Sequence, residues 1–554
     1  MTRTDPQAST ATRDPEQDRT TLRAIRNLAQ QGDLPGAIRD AEAALGGGLQ
    51  HAFLHNLLAL AREQAGDLQG AIVHLEHARW LEPGNVGTLN ALGLTLQRLA
   101  RHGEAIECFD EVIRLNPQFA PAHLNRGVSL EALRSLASAE HSFSRALELD
   151  PGSAQALGAL AQLASRRGNH DAARAHAEAA LAREPGYPPA VMALAAAELA
   201  GGAAPQAVAR LERLIADPLV SVPERAHATG LLGDCLDAQR QYSAAFAAYE
   251  RANAALLEFH APEFAAGEDA LAYARRLERY FAAAAADAWS RPPPEAAAGP
   301  SIRGHVFLLG FPRSGTTLLE QVLASHPDVV TLEERESLID AVRAYLRQPT
   351  DLDRLLSASA ADHLRLREDY WRRVAAEGCD PHGKLFVDKY PMNTLKLPLI
   401  ARLFPSAKIL FAMRDPRDVV LSCFRRHFDM NPVNYQLLTL TGAAEYYATT
   451  MRLAGRFQEL LGLKTHVVVH EQVVANLAAE AEAACRFLDL TYTPAMLDFA
   501  ARSRDRDIAT PSAAQLARGL NPEGAGQWRH YRAGLAPVLP VLEPFALAFG
   551  YPAE

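Results

Sequence analysis

Two patterns of apolar and polar positions divide this chain. Over residues 21–260, apolar residues recur at helical spacing in segments broken by short turns, and the pattern returns after 34 residues. From residue 305 onwards, short apolar runs alternate with amphipathic segments, which predicts strands alternating with helices. We therefore predict an all-helical first half and an α/β second half whose parallel sheet is covered on both faces.

The repeat in the first half consists of small residues and prolines on one lattice. Its members are Pro83, Pro117, Pro151 and Pro185; Ala37, Ala71, Ala105, Ala139, Ala173 and Ala207; and Gly32, Gly66, Gly168 and Gly202, with Ala100 and Arg134 in the remaining glycine positions. A small residue lets paired helices approach, and a proline stops a helix. The pattern resembles the tetratricopeptide repeat, which stacks into an α-solenoid with a concave surface for peptides or partner proteins. Stacking alone would also explain every lattice residue, and a plain helical bundle is the alternative fold.

Length and composition set the domain count and exclude several classes of protein. The chain has 554 residues, more than one ordinary core holds, and its net charge of −9 disfavours a general nucleic-acid binder. Its five cysteines are scattered without a CxxC pair, which favours the reducing cytoplasm over a disulfide framework or a zinc site. No apolar run is long enough to span a membrane. The predicted parts are a disordered tail over 1–20, a repeat solenoid over 21–260, a helix and Pro-rich linker over 261–301, and an α/β domain over 302–554.

The segment HVFLLGFPRSGTTLLEQVLASHPDV (305–329) carries the most specific chemistry. An apolar strand stops at a tight loop between Gly310 and Gly315, and Thr316 opens a helix. Backbone N–H groups of such a loop, with the positive end of the helix dipole, bind anions. The glycines fit a Walker A loop, but Thr316 stands where its lysine belongs. The loop is therefore predicted to hold a phosphate other than the γ-phosphate of ATP.

A second motif, RDPRDVVLSCFRR (414–426), follows a later predicted strand. With PRSGTT, it resembles the paired motifs of sulfotransferases that use 3′-phosphoadenosine 5′-phosphosulfate, and most of all the protein-tyrosine sulfotransferases. HPDV, the pair Glu333-Glu334 and the pair Glu471-Gln472 support this resemblance, which covers about 305–528. It implies a P-loop-like α/β domain that needs no metal.

The resemblance also implies the roles of individual residues. The 5′-phosphosulfate would be held by Arg313, Ser314, Gly315, Thr316 and Thr317, and the 3′-phosphate by Arg414, Ser422 and Arg426. Lys389, together with Arg313, would stabilise the charge that develops on the donor, and Glu334 would be the base that removes the acceptor proton. Further donor contacts are implied at Ser512, with Gln515 also in place, and at Gln527.

Three positions depart from the family pattern. Gln527 replaces a basic residue that would contact phosphate, unless its amide or Arg529 substitutes, and His470 replaces an aromatic residue before the Glu471-Gln472 pair. Glu336 stands where tyrosine-directed enzymes carry an acceptor-binding arginine. These changes leave the acceptor open between a protein tyrosine, which the resemblance and a peptide-presenting repeat groove favour, and a carbohydrate or small-molecule hydroxyl.

Other interpretations compete with this one. A nucleotide kinase would use Asp388, at the end of LFVD, to hold Mg²⁺, although Thr316 argues against it. A repeat scaffold with a degraded catalytic domain is the other. Individual residues also have alternative roles. Lys389 would be structural if it paired with Asp388, and Glu333 competes with Glu334 as the base. Arg313 would be structural if it formed an ion pair at the helix start, and Arg414 would be structural if it lay in a solvated charged turn.

Overall fold

The structure is a computed structural model that describes residues 14–290, 293, 298–426, 428–499, 520 and 524–553. Ser512 and Gln515 therefore lie outside the described residues. The chain forms two compact units, one of residues 1–160 with 182–184 and the other of 161–181 with 185–554.

The first half is helical, and its helices pack in consecutive pairs such as α3 with α4, α7 with α8 and α13 with α14. The first helix begins inside the segment predicted as a tail, so residues 15–20 are helical. The bounds are α1 Pro15–Gln30, α2 Leu34–Gly46, α3 Ala52–Gln64, α4 Leu68–Leu81, α5 Val86–Arg98, α6 His102–Leu115, α7 Ala120–Ala132, α8 Leu136–Leu149, α9 Ala154–Arg166, α10 His170–Arg183, α11 Pro188–Ala200, α12 Ala204–Ala216, α13 Val222–Ala238 and α14 Tyr242–Phe264.

Each class of lattice residue has a distinct physical role in the repeats. All six lattice alanines are fully buried in the second helix of a pair, where a larger side chain would force the helices apart. The lattice glycines follow the first helix of each pair in the left-handed region, with φ between 73° and 85°. Ala100 and Arg134, which occupy the remaining glycine positions, adopt the same conformation, with φ of 55° and 61°. The four prolines stand two residues beyond the ends of α4, α6, α8 and α10. The predicted α-solenoid is confirmed.

The second half is built on a five-stranded parallel sheet with the order β2-β3-β1-β4-β5. The apolar runs 306–311, 329–332, 385–387, 408–413 and 465–469, which the sequence predicts as strands, each form one. The strands are β1 Gly304–Gly310, β2 Val329–Glu333, β3 Leu385–Lys389, β4 Lys408–Met413 and β5 Lys464–Val469. The helices are α15 Ala270–Ala283, α16 Ala286–Ser290, α17 Thr316–Ala324, α18 Ile339–Tyr345, α19 Asp351–Leu356, α20 Ala360–Ala376, α21 Leu397–Leu403, α22 Pro416–Phe424, α23 Pro432–Gln436, α24 Leu440–Leu460, α25 His470–Ala475, α26 Leu477–Leu488, α27 Arg532–Leu535 and α28 Leu539–Ala548, with 3₁₀ segments at Pro391–Lys396, Pro494–Asp498 and Gln527–Tyr531.

Alternate residues of each strand enter different apolar cores, as a doubly covered sheet requires. Val306 and Leu308 of β1 face the core that contains α17 and α26, whereas Phe307 and Leu309 face the core that contains α20, α21 and α24. The chain leaves β1 at the centre of the sheet, between β3 and β4. Ligands of open α/β sheets bind beyond the strand ends at such a switch point.

Helix α15 belongs to the core of the α/β domain, although the sequence predicts a helix and linker between domains. Its buried face, including Leu277 and Phe281, packs with α24 and with Trp289. An amphipathic helix of this kind is stable only where its apolar stripe is covered. The apolar core of the α/β domain therefore includes residues before the Pro-rich segment, from Ala245 of α14 onwards.

Candidate active site

The loop after β1 has the backbone that a phosphate loop needs. Gly310 has φ of 156°, and a Cβ there would lie 2.6 Å from the carbonyl oxygen of Ala412 in β4. Gly315 caps α17 with φ of 96°, and no side chain of the described residues caps this helix start. The hydroxyl of Thr394 stabilises the start of the loop by donating to the carbonyl oxygen of Gly310 at 2.7 Å. The N-terminal amides of α17 are therefore available to an anion.

Arg313 is held in an unusual backbone conformation at the tip of this loop. Its φ is 71°, in the left-handed region that costs a non-glycine residue about 1 kcal/mol or more. Its Nε donates to Oγ of Ser422 in α22 at 3.1 Å. Nη1 of Arg414 donates to the carbonyl oxygen of Arg313 at 3.1 Å. The structure thus brings together the two motifs that lie about a hundred residues apart in the sequence.

Positive charge accumulates at this junction. Burial, together with the neighbouring cations Arg426 and Arg414, lowers the pKa of Arg313 to about 10. Nε of Arg414 is buried and has no hydrogen-bond partner among the described residues. Buried donors without acceptors and like charges held close together are unfavourable unless an anion joins them. The site therefore fits a polyanionic ligand.

His470 begins α25 and lies against the phosphate loop. A Cβ at Gly315 would lie 2.6 Å from Nδ1 of His470, so the loop and this ring are in close contact. Burial, Arg414 and Arg313 lower the pKa of His470 to about 3, which leaves the imidazole neutral. His470, which departs from the family pattern, thus packs against the phosphate loop.

The end of β3 places Lys389 among three carboxylates. Its Nζ lies 2.9 Å from Glu334, 3.2 Å from Glu320 and 3.6 Å from Glu333, and its side chain is fully buried. Burial disfavours the ammonium, but the three carboxylates outweigh it and hold the pKa of Lys389 above its ordinary value. Burial and the neighbouring glutamates raise the pKa of the Glu320 carboxyl.

Glu320 is a residue that the motif comparison did not single out. It lies on α17 with 1% of its side chain exposed, inside the segment TTLLEQVLA, all of whose residues are buried. A buried carboxylate needs a partner. A glutamate among the apolar residues of this helix is therefore the feature of the sequence that could have identified Glu320 as part of the site. It ties the phosphate loop's helix to Lys389.

Glu334 lies directly beyond β2 in a left-handed conformation, with φ of 45°. Its N–H donates to the carbonyl oxygen of Lys389 at 2.7 Å, which fixes the backbone beside the lysine. Such strain persists where surrounding contacts enforce it, and it is frequent at functional sites. Glu336 instead accepts from Nζ of Lys396 at 2.6 Å. The carboxylate at the departing position is thus paired with a neighbouring lysine.

The structural alternative that pairs Lys389 with Asp388 is wrong. Asp388 lies on the opposite face of β3, because consecutive strand residues alternate. It accepts from the hydroxyl of the buried Tyr370 at 2.8 Å, and the Tyr370 ring packs against the half-buried His305. Burial raises the pKa of Asp388 to about 7. A carboxylate placed there is directed away from the phosphate loop, contrary to the kinase interpretation.

We predict that Asp388→Asn removes a pH dependence and leaves activity unchanged. The folded-state pKa lies above that of the unfolded chain, so Asp388 stabilises the fold less as pH rises through about 4 to 7. The denaturation midpoint of the parent should therefore fall relative to the variant between pH 5 and pH 8. A variant that loses catalytic turnover at unchanged stability would instead support a metal-binding role for this carboxylate.

Residues 415–418 of the RDPRD segment are buried and Arg414 is half-buried, which argues against the alternative of a solvated turn. The Arg417 guanidinium pairs with Asp415 at 2.7 Å and stacks on the ring of Trp528, 3.9 Å from its centroid. Asp418 accepts from the N–H of Trp528 at 2.8 Å and from Gly526. The motif thus anchors the segment around Trp528 beside Arg414.

Gln527 and Arg426, which the sequence predicts to contact the nucleotide, form hydrogen bonds with protein side chains. The amide oxygen of Gln527 accepts from Nη1 of Arg425 at 3.0 Å, and Arg426 donates to Asp234 of α13 at 2.8 Å. Ser314, Thr316 and Thr317 lie buried in the loop and the first turn of α17. Ser512 cannot be placed, because it falls outside the described residues.

Among the described residues, no group of three or more His, Cys, Asp or Glu side chains is arranged to hold a metal ion. Within the same part of the chain, no helix is long and apolar enough to cross a bilayer.

Fold and site together define a helical repeat array joined to an α/β domain with a phosphate-binding loop. Residues 305–494 match the sulfotransferase family, and residues 90–154, 142–175 and 166–218 match tetratricopeptide repeats. The chain therefore carries a sulfotransferase-family domain together with tetratricopeptide repeats.

Three proteins illustrate what this chain is similar to. An uncharacterised protein of Aquifex aeolicus is 26% identical over 363 residues, covering 60% of this chain and 43% of that protein. A putative protein-tyrosine sulfotransferase of Caenorhabditis briggsae is 25% identical over 40% of this chain and 80% of its own length. Protein-tyrosine sulfotransferase 2 of Gallus gallus is 28% identical over 35% of this chain and 53% of its own length. The chain thus spans about half the length of two of these three relatives.

Proposed function

We propose that this protein transfers a sulfuryl group from 3′-phosphoadenosine 5′-phosphosulfate to the hydroxyl of a protein tyrosine. The observation that carries the proposal is the meeting of two anion-binding motifs, with Nε of Arg313 at 3.1 Å from Oγ of Ser422. The cluster of Lys389 and Glu334 at the neighbouring strand ends supports it. A ligand with phosphates at both the 5′ and 3′ positions matches two such motifs.

The residues have separate tasks in the proposed reaction. The loop amides, Arg313 and the hydroxyls of Ser314, Thr316 and Thr317 would hold the 5′-phosphosulfate, while Arg414, Ser422 and Arg426 would hold the 3′-phosphate. The S–O bond to the bridging oxygen breaks as a new S–O bond forms to the acceptor oxygen. Glu334 takes the acceptor proton, and adenosine 3′,5′-bisphosphate leaves. Lys389 offsets the charge that grows on the leaving group.

Arg414→Ala is expected to weaken binding of adenosine 3′,5′-bisphosphate by about tenfold to a hundredfold, because it removes a charge-assisted hydrogen-bond donor. Isothermal titration calorimetry measures this directly. Arg210→Ala is the matched control, since Arg210 pairs with Glu198 in the repeats at 2.8 Å and should not affect the nucleotide. Equal affinities of the Arg414 variant and the parent would contradict the assignment.

The tyrosine acceptor is supported by the named relatives and by the repeats, which offer a surface to a polypeptide. A transfer assay with radiolabelled donor tests it, using a tyrosine peptide, the same peptide with phenylalanine, and a panel of oligosaccharides. We expect label on the tyrosine peptide alone. Label on an oligosaccharide alone would assign a carbohydrate acceptor, and nucleotide binding without any labelled acceptor would favour the scaffold interpretation.

We further propose that the repeats present the polypeptide acceptor and that the protein works in the cytoplasm. The dispersed cysteines support a reducing compartment: Cys108, Cys235, Cys423 and Cys485 are each buried as a free thiol in a different part of the fold.

A further inference from the structure

The last two repeat helices, α13 and α14, contact α22 and the two arginines that follow it. The side chain of Asn253 in α14 donates to the carbonyl oxygen of Phe424, the final residue of α22, at 2.8 Å. Two arginines follow that residue, and α13 presents two carboxylates to them. Arg426 donates to Asp234 at 2.8 Å, and Arg425 pairs with Asp237 at 2.9 Å.

The two ion pairs differ in their surroundings. Arg425 is 9% exposed and lies between the rings of Tyr249 and Tyr531, with its guanidinium carbon 5.2 and 5.3 Å from their centroids. It also donates to Gln527, so it holds the fold together. Arg426 is 32% exposed. A guanidinium has five N–H donors, so the bond to Asp234 leaves donors for a phosphate.

Asp234 is itself fixed in place. Its carboxylate accepts from the hydroxyl of Tyr249 at 2.9 Å and lies 3.6 Å from Arg425. Its position beyond the arginine cluster balances a repulsion. Arg313, Arg414 and Arg426 carry like charges, and Arg426 is the first of the cations that disfavour the charged form of Arg313. Without the Asp234 carboxylate, repulsion from Arg313 and Arg414 would favour an Arg426 side chain that turns into solvent.

We propose that Asp234, a residue of the repeat array, positions Arg426 for the 3′-phosphate of the sulfuryl donor. The inference relies on the proposed function, because it assumes a nucleotide with a 3′-phosphate. It makes the last repeat part of the donor site. Asp234 acts through Arg426 and does not contact the donor.

The test compares two nucleotides that differ only in the 3′-phosphate. Calorimetry gives the affinities of the full-length parent, Asp234→Asn and Asp237→Asn for adenosine 3′,5′-bisphosphate and adenosine 5′-phosphate. For Asp234→Asn we expect the preference for the bisphosphate to fall about tenfold, while the affinity for adenosine 5′-phosphate stays within about twofold. Asp237→Asn removes the same charge from the same helix but leaves Arg426 paired. It should lower the unfolding temperature and keep the parental preference.

Two further variants keep the test decisive. Asp234→Glu should restore the preference, which also covers the case in which Asp234→Asn folds poorly. In an Arg426→Ala background, Asp234→Asn should change the preference no further. An Asp234→Asn protein that keeps the parental preference, or binds the bisphosphate more tightly, would overturn the inference alone. A parent without any preference for the bisphosphate would overturn the proposed function as well.

Discussion

Glu334→Gln is expected to lower sulfuryl transfer by about a hundredfold to ten-thousandfold, the range that one general base supplies. A tyrosine hydroxyl has a pKa of about 10, so it needs a carboxylate to take its proton as the new bond forms. Glutamine keeps the size of the side chain but accepts no proton. Because Glu334 is not proposed to contact the nucleotide, binding of adenosine 3′,5′-bisphosphate should remain parental. Initial rates with saturating donor, together with calorimetry, separate the two effects.

Glu333→Gln is the matched control for this experiment. Glu333 ends β2, and its carboxylate lies 3.6 Å from the same lysine, against 2.9 Å for Glu334. It loses the same charge one residue away. We expect it to retain most of the parental rate. If Glu333→Gln abolished transfer while Glu334→Gln preserved it, the base would be Glu333 and our assignment would be wrong.

Lys389→Met is expected to destabilise the α/β domain by about 3–5 kcal/mol, as the removal of one partner from a buried ion pair does. Methionine fills the volume but leaves Glu320, Glu333 and Glu334 without the ammonium. The loss should be greater at pH 8 than at pH 5, since the carboxyl of Glu320, whose pKa is already raised, takes up a proton at the lower pH. Urea denaturation at the two pH values measures it.

Two controls separate burial from catalysis. Lys408→Met removes the more exposed pair with Asp489, which should cost about 0–1 kcal/mol. Adding Glu320→Leu to Lys389→Met should recover part of the lost stability, because a buried carboxylate disappears. Transfer should not recover, since Lys389 is proposed to offset charge on the leaving group. A Lys389→Met protein with the parental denaturation midpoint would contradict the account of the cluster.

The sequence predicted those parts of the site whose geometry is local. The strand, loop and helix from Gly304 to Ala324 follow from adjacent residues. Arg414 and Ser422 come from one strand–helix junction, at the end of β4 and in α22. The meeting of Arg313 with Ser422 also follows from topology, since β1 and β4 are neighbours whose carboxyl ends share an edge.

The rest depended on contacts between distant segments. Nothing near Lys389 in the sequence indicates Glu320, because their meeting needs α17 to pack beside β3. Asp234 and Arg426 are 192 residues apart. Against the alternative pairing of Lys389 with Asp388, the alternation of side chains along a strand is already visible in the sequence. Against the alternative of a solvated turn at Arg414, the aspartates of RDPRD accept from Arg417 and from the backbone near Trp528.

We propose that the loop after β1 and the arginines after β4 form a site for a 3′-phosphorylated adenosine nucleotide. Calorimetric titration of the full-length protein with adenosine 3′,5′-bisphosphate without magnesium, and with ATP in the presence of magnesium, tests this site. We expect the bisphosphate to bind at least about tenfold more tightly, since only it reaches both anion-binding motifs. Tighter binding of magnesium-ATP would contradict the proposed site and support the kinase interpretation.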